Sequence, residues 1–266
     1  MNILSSLEKL HIFKSFKKSP YRSTKHLSYF HTYTELFEKY RGKSITFMEI
    51  GILDGGSLFM WRDFFGKKAK IIGIELNPKA KKWKKDGFEI YTGSQSDELF
   101  WKKVFKKIGK VDIVLDDGGH TNEQQIITAH SCLPYINDGG LFVTEDTHTS
   151  YMTKFGNPSK YSFIEWTKVL IDNINSRCSQ INLPKLIYKD YIQSIRYFES
   201  IVCLEINRKK CIDSHSIENG GKSLNSKDLR LQNSGLENIF FKSRYRHWLH
   251  FKLKNLKLRK FFKKDK

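Results

Sequence analysis

Between residues 45 and 144, short apolar and β-branched segments alternate with helical ones, and this alternation constrains the fold more than any other feature. Strands are predicted at residues 45–50, 71–75, 111–115 and 140–144, and helices at 57–65, 97–107, 123–133 and 161–174. Alternation with short connections marked by Gly or Asn-Pro favours an α/β fold with a parallel, doubly wound sheet. Residues 195–198 and 201–206 are predicted to form an antiparallel pair of strands at its edge.

Two acidic runs follow predicted strands. They are Leu-Asp-Asp-Gly-Gly-His at residues 115–120 and Val-Thr-Glu-Asp-Thr at residues 143–147. Open α/β sheets bind ligands just beyond the carboxyl ends of their strands. Neighbouring strands lie about 4.8 Å apart, so we expect Asp117, Glu145 and Asp146 to converge on one metal ion. Oxygen-only ligands favour Mg²⁺ or another hard divalent cation over zinc. His120 is the candidate general base beside that ion, since histidine takes up a proton near neutral pH.

Three further segments predict a nucleoside-binding site. The loop at residues 49–57, Glu-Ile-Gly-Ile-Leu-Asp-Gly-Gly-Ser, is neither a dinucleotide-binding fingerprint nor a Walker A loop. Glu49 would repel a phosphate but suits a cationic cofactor. Glu75 ends the second strand, where an acid accepts ribose hydroxyls, and Gln95 is placed to contact adenine. A nucleoside without pyrophosphate indicates S-adenosylmethionine. The candidate cofactor-binding residues are Glu49, Gly51, Gly55, Ser57, Glu75, Gln95 and Asp116.

These motifs together resemble the metal-dependent sugar O-methyltransferases of macrolide pathways, the macrocin and mycinamicin type, with cephalosporin-hydroxylase-like relatives. The resemblance rests on residues 48–61, on Asp-Asp-Gly-Gly-His at 116–120 and on Glu-Asp-Thr-His-Thr-Ser-Tyr at 145–151, and it covers residues 24–206. It implies a Rossmann-like methyltransferase sheet. By position it carries the metal carboxylates onto Asp117, Glu145 and Asp146, and the general base onto His120.

The resemblance also assigns the cofactor loop to Glu49 and Gly51, the ribose-binding acid to Glu75, and an element that helps close the cofactor site to residues 25–33. Asp116 is expected to orient His120 or the turn rather than to bind the metal. The chain departs from the family at Gly119, where Ser is usual, at residues 93–95, where Gly-Asp-Gln is common, and at Thr144, where Ile is usual.

The charge of the chain is concentrated at its carboxyl end. The formal net charge is +19, yet residues 45–150 contain 14 Lys and Arg against 15 Asp and Glu. Residues 242–266 contain 11 Lys and Arg against one acid, interspersed with aromatic and leucine side chains. This basic tail favours adsorption to an anionic membrane face, and nucleic-acid binding or a solvated or subunit-packed tail remain alternatives.

We therefore expect a methyltransferase domain at residues 45–210, preceded by a helical, cofactor-closing segment at 1–44 and followed by a polar linker and basic aromatic tail at 211–266. The expected activity is methyl transfer to a sugar hydroxyl in surface polysaccharide or glycoside biosynthesis. The alternatives are an RNA methyltransferase and a non-catalytic cofactor-binding scaffold at the membrane. The neutral core argues against a nucleic-acid partner; a lipid-linked acceptor and a homo-oligomer stay open.

The compartment is predicted from cysteine usage and from the amino-terminal residues. The four cysteines form no Cys-x-x-Cys pair, which favours reduced thiols. Residues 1–9 contain no apolar core of a signal peptide, and no stretch approaches the roughly 20 apolar residues of a membrane span. We expect a bacterial, cytoplasmic protein, with peripheral attachment to the inner membrane face as an extension.

Overall fold

A single mixed sheet organises the chain. The computed structural model describes residues 3–156, 158–181 and 187–224. Within these residues the sheet contains β1 (Thr46–Ile50), β2 (Lys70–Glu75), β3 (Glu89–Thr92), β4 (Val111–Asp116), β5 (Ile136–Thr144), β6 (Ile192–Phe198) and β7 (Ile201–Ile206). Their order is β3-β2-β1-β4-β5-β7-β6. Strands β1 to β5 run parallel, and β7 is antiparallel to both β5 and β6. The predicted doubly wound sheet with an antiparallel edge pair is confirmed.

The strand boundaries differ from the prediction where polar residues or glycines enter the sheet. Strand β5 begins at Ile136, four residues before the predicted start, because Ile136 pairs with Val111 across a register shift in β4. A Cβ at Gly140 would lie 2.3 Å from the Asp112 carbonyl oxygen, so glycine allows this close approach of β4 and β5. Strand β3 was not predicted from the sequence.

Helices cover both faces of the sheet. They are α1 (Ile3–Leu7), α2 (His11–Lys18), α3 (Tyr29–Phe37), α4 (Gly56–Phe65), α5 (Glu98–Ile108), α6 (Asn122–Cys132) and α7 (Phe163–Asn175). Successive strand residues point to opposite faces. Phe47 of β1 therefore packs with α2, α3 and α4, whereas Met48 packs with α5, α6 and α7. The two hydrophobic layers hold the strand ends, and the loops that follow them, in fixed positions.

The predicted helical segment at residues 1–44 is interrupted. Helix α2 ends at Lys18, before Ser19 and Pro20, and α3 begins at Tyr29. A residue that precedes proline disfavours the helical conformation, which accounts for the break. We call residues 19–28 the bridging segment, because they cross the carboxyl ends of the strands between α2 and α3.

The carboxyl-terminal part, residues 211–266, was predicted as a polar linker followed by a basic aromatic tail. The described residues up to His215 form one compact unit, which ends before Ser216. Residues 216–224 form no helix or strand and are exposed. The remainder of that linker and the basic tail at 242–266 lie outside the described residues. Across the part of the chain that the structure describes, no helix combines the length and the apolar character needed to cross a membrane.

Candidate active site

A cavity of about 550 Å³ opens at the carboxyl ends of β1, β2, β4 and β5. The order of the sheet reverses between β1 and β4, and ligands of open α/β sheets bind at such a reversal. Residues 22–26 of the bridging segment form one wall of the cavity. Residues from all these elements line it, among them Arg22, Lys25, His26, Gly51, Ser57, Glu75, Gln95, Asp117, His120, Glu145 and Asp146.

The loop after β1 approaches the loop after β4 very closely at Gly51. Gly51 has φ +82°, and a Cβ at this position would lie 2.1 Å from the carbonyl oxygen of Asp117. Gly55 has φ +78°, and a Cβ there would overlap the indole of Trp83. Gly51 and Ser57 line the cavity, whereas Gly55 is not among its lining residues.

Glu75 lines the cavity at the end of β2. One carboxylate oxygen accepts hydrogen bonds from the backbone N–H groups of Ile52 and Leu53, at 3.1 and 3.0 Å. The other accepts from the N–H of Asn77 at 3.0 Å. The side chain is 9% exposed. Three backbone donors therefore fix the carboxylate before any ligand arrives.

Glu49 does not line the cavity. Its side chain is fully buried and accepts hydrogen bonds from the Ser57 hydroxyl at 2.6 Å and the Trp61 indole at 3.0 Å. Burial raises its pKa to about 7, although Lys25 and the two hydrogen bonds act in the opposite direction. The predicted contact with a cofactor would thus be indirect, through Ser57 and Lys25.

Gln95 and Asp116 form a buried pair behind the turn after β4. The Gln95 amide donates to Asp116 Oδ1 at 2.9 Å, and the same oxygen accepts from the N–H of Gly118 at 3.2 Å. Gln95 Oε1 accepts from the N–H of Gly119 at 2.9 Å. Burial raises the pKa of Asp116 to about 7. The hydrogen bonds of Asp116 thus lie within the turn and with Gln95, and none joins it to His120 among the described residues.

Two of the three predicted metal carboxylates come together with the predicted base. Asp117, His120 and Asp146 each offer a ligand atom, and these atoms lie within 4.8 Å of one another. His120 Nε2 is 3.4 Å from Asp146 Oδ2 and 4.0 Å from Asp117 Oδ1. His120 and Asp146 have φ values of 60° and 54°. This left-handed backbone is rare for residues other than glycine and marks sites of function or strain.

Glu145, the third predicted ligand, points elsewhere. Its side chain is 1% exposed and is held by the Lys25 ammonium at 3.0 Å and the Tyr33 hydroxyl at 2.5 Å. Burial and the charge of Asp117 raise the pKa of Glu145 well above its usual range, against the opposing effect of Lys25. The carboxylates follow adjacent strands as predicted, but Glu145 is directed toward the bridging segment.

Lys25 is the central cation of this group. Its ammonium lies 2.5 Å from Asp117 Oδ2 and 3.8 Å from Glu49 Oε1, and its side chain is 1% exposed. Burial alone would lower the pKa of Lys25, but the attraction of Asp117, Glu145 and Glu49 outweighs it and the net shift is upward. The sequence reasoning placed Lys25 only in a site-closing element. Clustered carboxylates repel one another unless a cation lies among them. That requirement could have indicated that a lysine such as Lys25 lies beside the three acids.

Tyr29, the first residue of α3, binds Asp146. The Tyr29 hydroxyl donates to Asp146 Oδ1 at 2.5 Å and accepts from the Asp146 N–H at 3.2 Å. Lys25, Tyr29 and Tyr33 thus each bind an acid that follows β4 or β5. The bridging segment and the start of α3 are fastened over the cavity by these contacts.

Sequence comparisons agree with the resemblance seen in the motifs. No protein-family model matches the chain. It is 34% identical over 134 residues to demethylmacrocin O-methyltransferase of Streptomyces fradiae, which covers 48% of this chain and 33% of that protein. It is also 34% identical over 133 residues to mycinamicin VI 2''-O-methyltransferase of Micromonospora griseorubida, covering 47% of this chain and 32% of that protein. These curated relatives are sugar O-methyltransferases.

A solved structure extends the similarity to the fold. The MycE methyltransferase of mycinamycin biosynthesis, in complex with Mg, SAH and mycinamycin VI, matches with a TM-score of 0.66 and 25% identity. The match covers 75% of this chain and 53% of that one. The resemblance and the Rossmann-like fold predicted from the sequence are confirmed. The chain spans about a third of the length of the curated relatives and about half of the solved one.

Proposed function

We propose that this chain transfers the methyl group of S-adenosylmethionine to a sugar hydroxyl, assisted by a divalent cation. The observation that carries the proposal is one cavity of about 550 Å³ that joins Glu75 and the Gly51 loop to Asp117, His120 and Asp146. The Mg and SAH held by the solved relative support the choice of cofactor and ion. The names of the curated relatives support a sugar acceptor.

The residues at the β1–β2 end fit a nucleoside with a positively charged substituent. The carboxylate of Glu75 is held in place by backbone donors and still has acceptor capacity for ribose hydroxyls. Gly51 lets the backbone lie directly beside the ligand. S-adenosylmethionine would supply an electrophilic methyl group on a sulfonium centre, and the nearby acids suit its positive charge.

The residues at the β4–β5 end fit a divalent cation. Asp117 and Asp146 present hard oxygen ligands to the cavity, and both side chains are 21% exposed. When Asp117, Glu145 and Asp146 are all ionised, Lys25 neutralises one of their three charges, and a divalent cation would neutralise the other two. We propose Asp117 and Asp146 as direct ligands. Glu145 would join them by turning away from Lys25 and Tyr33.

We propose His120 as the general base. Its Nε2 lies 3.4 Å from Asp146 Oδ2, at the edge of the cavity. A bound divalent cation makes a hydroxyl more acidic, and His120 would accept the released proton. The carboxylates of Asp146 and Asp117 would then stabilise the imidazolium. Lys25 holds the bridging segment closed, which positions the donor and excludes water.

The biological setting we propose is the biosynthesis of a surface polysaccharide or another glycoside. The neutral catalytic part, with 14 basic against 15 acidic residues at 45–150, does not favour a phosphate-rich acceptor. The 11 basic residues at 242–266 support adsorption to the inner face of an anionic membrane. Lipid-linked glycans therefore belong among the acceptors to be tested.

Calorimetric binding of S-adenosylmethionine to the full chain tests the proposal, with Mg²⁺ and with a chelator. We expect Glu75→Ala to weaken binding by about 10- to 100-fold, since hydrogen bonds to a charged acceptor contribute about 1.5–3 kcal/mol. Glu98→Ala, which removes an exposed acid at the start of α5, is the matched control. Wild-type binding in neither condition would overturn the proposal.

Methyl transfer to glycosides, nucleotide sugars and lipid-linked glycans then tests the chemistry. A rate that survives both chelation and His120→Ala would contradict the roles proposed for the cation and the base.

A further inference from the structure

Asp146 presents its two carboxylate oxygens to different histidines. Oδ2 lies 3.4 Å from Nε2 of His120, within the group already described. Oδ1 faces the other way and lies 3.7 Å from Nε2 of His26 in the bridging segment. The Tyr29 hydroxyl also donates a hydrogen bond to Oδ1, at 2.5 Å.

A second histidine completes the group around Oδ1. His26, Asp146 and His148 each offer one ligand atom, and the three atoms lie within 4.8 Å of one another. The rings of His26 and His148 are 5.6 Å apart and nearly perpendicular. Nδ1 of His148 is shielded from solvent and has no hydrogen-bond partner among the described residues. A buried polar atom without a partner requires an explanation, and an ion bound by this Nδ1 would supply one.

The donor set of this second group differs from that of the first. Two imidazoles and one carboxylate suit borderline ions such as Zn²⁺ and Co²⁺, whereas Mg²⁺ prefers oxygen ligands. Ligands about 2.0–2.1 Å from a tetrahedral ion lie roughly 3.3 Å apart. The 3.7 Å between His26 and Asp146 is close to that spacing, and the other two separations are at most 4.8 Å, so side-chain rotations would close the site.

We propose that His26, Asp146 and His148 bind a divalent transition-metal ion of the Zn²⁺ and Co²⁺ class. This site is separate from the proposed Mg²⁺ site, although Asp146 would serve both with different oxygens. His26 belongs to the bridging segment, and His148 lies in the short 3-10 helix Thr147–Tyr151 that follows β5. The ion would therefore link the bridging segment to the 3-10 helix that follows β5. The proposal does not depend on methyl transfer.

Titration with Co²⁺, followed by its visible absorption, tests the proposal. The sample is the full chain without an affinity tag, freed of metal and kept in excess Mg²⁺. Because even the loss of a residue that only supports a ligand weakens metal sites about 10- to 100-fold, we expect His26→Ala and His148→Ala each to weaken Co²⁺ binding about tenfold or more. The control is His31→Ala, an exposed histidine in α3, which should bind as the wild type does.

The variants distinguish this site from its neighbour. Co²⁺ binding that is lost in His120→Ala but kept in His26→Ala and His148→Ala would assign the ion to the Asp117 group and overturn the proposal. Unchanged binding in all variants would overturn it as well. S-adenosylmethionine binding, measured on the same samples, reports separately on the proposed function.

Hydrogen exchange gives a second readout that does not depend on the spectrum. Zn²⁺ should slow exchange of residues 22–26 in the wild type and leave them unchanged in His148→Ala. Circular dichroism of each variant verifies the fold. Equal protection in wild type and His148→Ala would contradict a link through His148.

Discussion

The two ends of the cavity hold their acids in different ways. At the β1–β2 end, Glu75 is held by backbone N–H groups of Ile52, Leu53 and Asn77, all within 23 residues of it. At the β4–β5 end, Asp117 and Glu145 are held by the side chain of Lys25, which is 92 and 120 residues away. The first arrangement rests on backbone donors next to two neighbouring strands, and the second rests on one side chain that lies far from both acids in sequence.

This difference implies different sensitivities. Backbone donors cannot be removed by a side-chain substitution, so the Glu75 end should tolerate changes elsewhere in the chain. The Asp117 end depends on one buried ammonium that faces three acids. Removing a single partner of such a buried group leaves uncompensated charge in a low-dielectric environment. The bridging segment is therefore the part of the molecule on which the acidic end depends.

The largest effect should follow from Lys25→Met. The variant leaves Glu145, which is 1% exposed, and Asp117 without their cation. Breaking a buried ion pair costs about 3–5 kcal/mol, and we expect a loss of this size in the free energy of unfolding measured with urea. Lys43→Met, which removes an exposed lysine, should change stability by less than about 0.5 kcal/mol.

Two additions to that experiment make it sharper. Glu145→Gln in the Lys25→Met background should recover part of the loss, because it removes the unpaired charge. Mg²⁺ should stabilise Lys25→Met more than it stabilises the wild type if the acids bind a divalent cation. Equal stability of Lys25→Met and Lys43→Met would mean that the acidic end does not depend on the bridging segment.

The features predicted from the sequence are those encoded locally. The alternation of strand and helix patterns predicted the parallel sheet. The acidic runs at 115–120 and 143–147 lie at the carboxyl ends of β4 and β5, as predicted. Glu75 lies at the end of β2 and lines the cavity. In each case the position follows from where a strand ends, so the periodicity of the strands and helices is enough to place the residue.

The features that were not predicted depend on side-chain direction. Glu49 lies in the predicted loop but points into the core, toward Ser57 and Trp61. Glu145 follows the predicted strand but points toward Lys25 and Tyr33. Strand position determines which face a residue occupies, but it does not determine which distant partner its carboxylate meets. That choice follows from the packing of the bridging segment and α3.

The second largest effect should come from Glu49, which lies between the β1–β2 end and the β4–β5 end of the cavity. Its carboxyl group should make the free energy of unfolding depend on pH. Its pKa is about 7 in the folded chain, raised by burial from an ordinary value of 4.5. Below pH 4.5 the carboxyl is protonated in both states. Above it the unfolded chain releases the proton first, so stability falls as pH rises and the loss is complete above pH 7. The shift corresponds to about 3 kcal/mol.

Urea unfolding at pH 5, 6, 7 and 8 measures this dependence, with Glu49→Gln as the reference. The wild type should lose about 2.5 kcal/mol relative to Glu49→Gln between pH 5 and 8, because part of the total loss has already occurred by pH 5. Because Lys25 lowers the folded-state pKa of Glu49, Lys25→Met should extend the loss of stability to higher pH. A difference between wild type and Glu49→Gln that stays constant with pH would show that burial does not govern this carboxyl.

The smallest of the three effects tests whether backbone packing governs the β1–β2 end. Gly51 and Gly87 have φ values of +82° and +83°, so alanine is strained at both. A Cβ at Gly51 would lie 2.1 Å from the Asp117 carbonyl oxygen, whereas the nearest atom to one at Gly87 is Arg62 Nη1 at 4.0 Å. Gly87→Ala should cost about 1–2 kcal/mol from the left-handed conformation alone, and Gly51→Ala should cost about 1–3 kcal/mol more from overpacking.

Thermal and urea unfolding of the two glycine variants, side by side, isolates the steric contribution because the conformational strain is common to both. The extra loss in Gly51→Ala should come with weaker S-adenosylmethionine binding, since the β1 loop must move away from Asp117 to make room for the methyl group. Gly87→Ala, whose new methyl group would meet no atom closer than 4.0 Å, should bind as the wild type does. Equal losses of stability in both variants would mean that the loop after β1 can shift to accommodate the methyl group. The β1–β2 end of the cavity would then not be held rigidly by its backbone, contrary to the contrast drawn between the two ends.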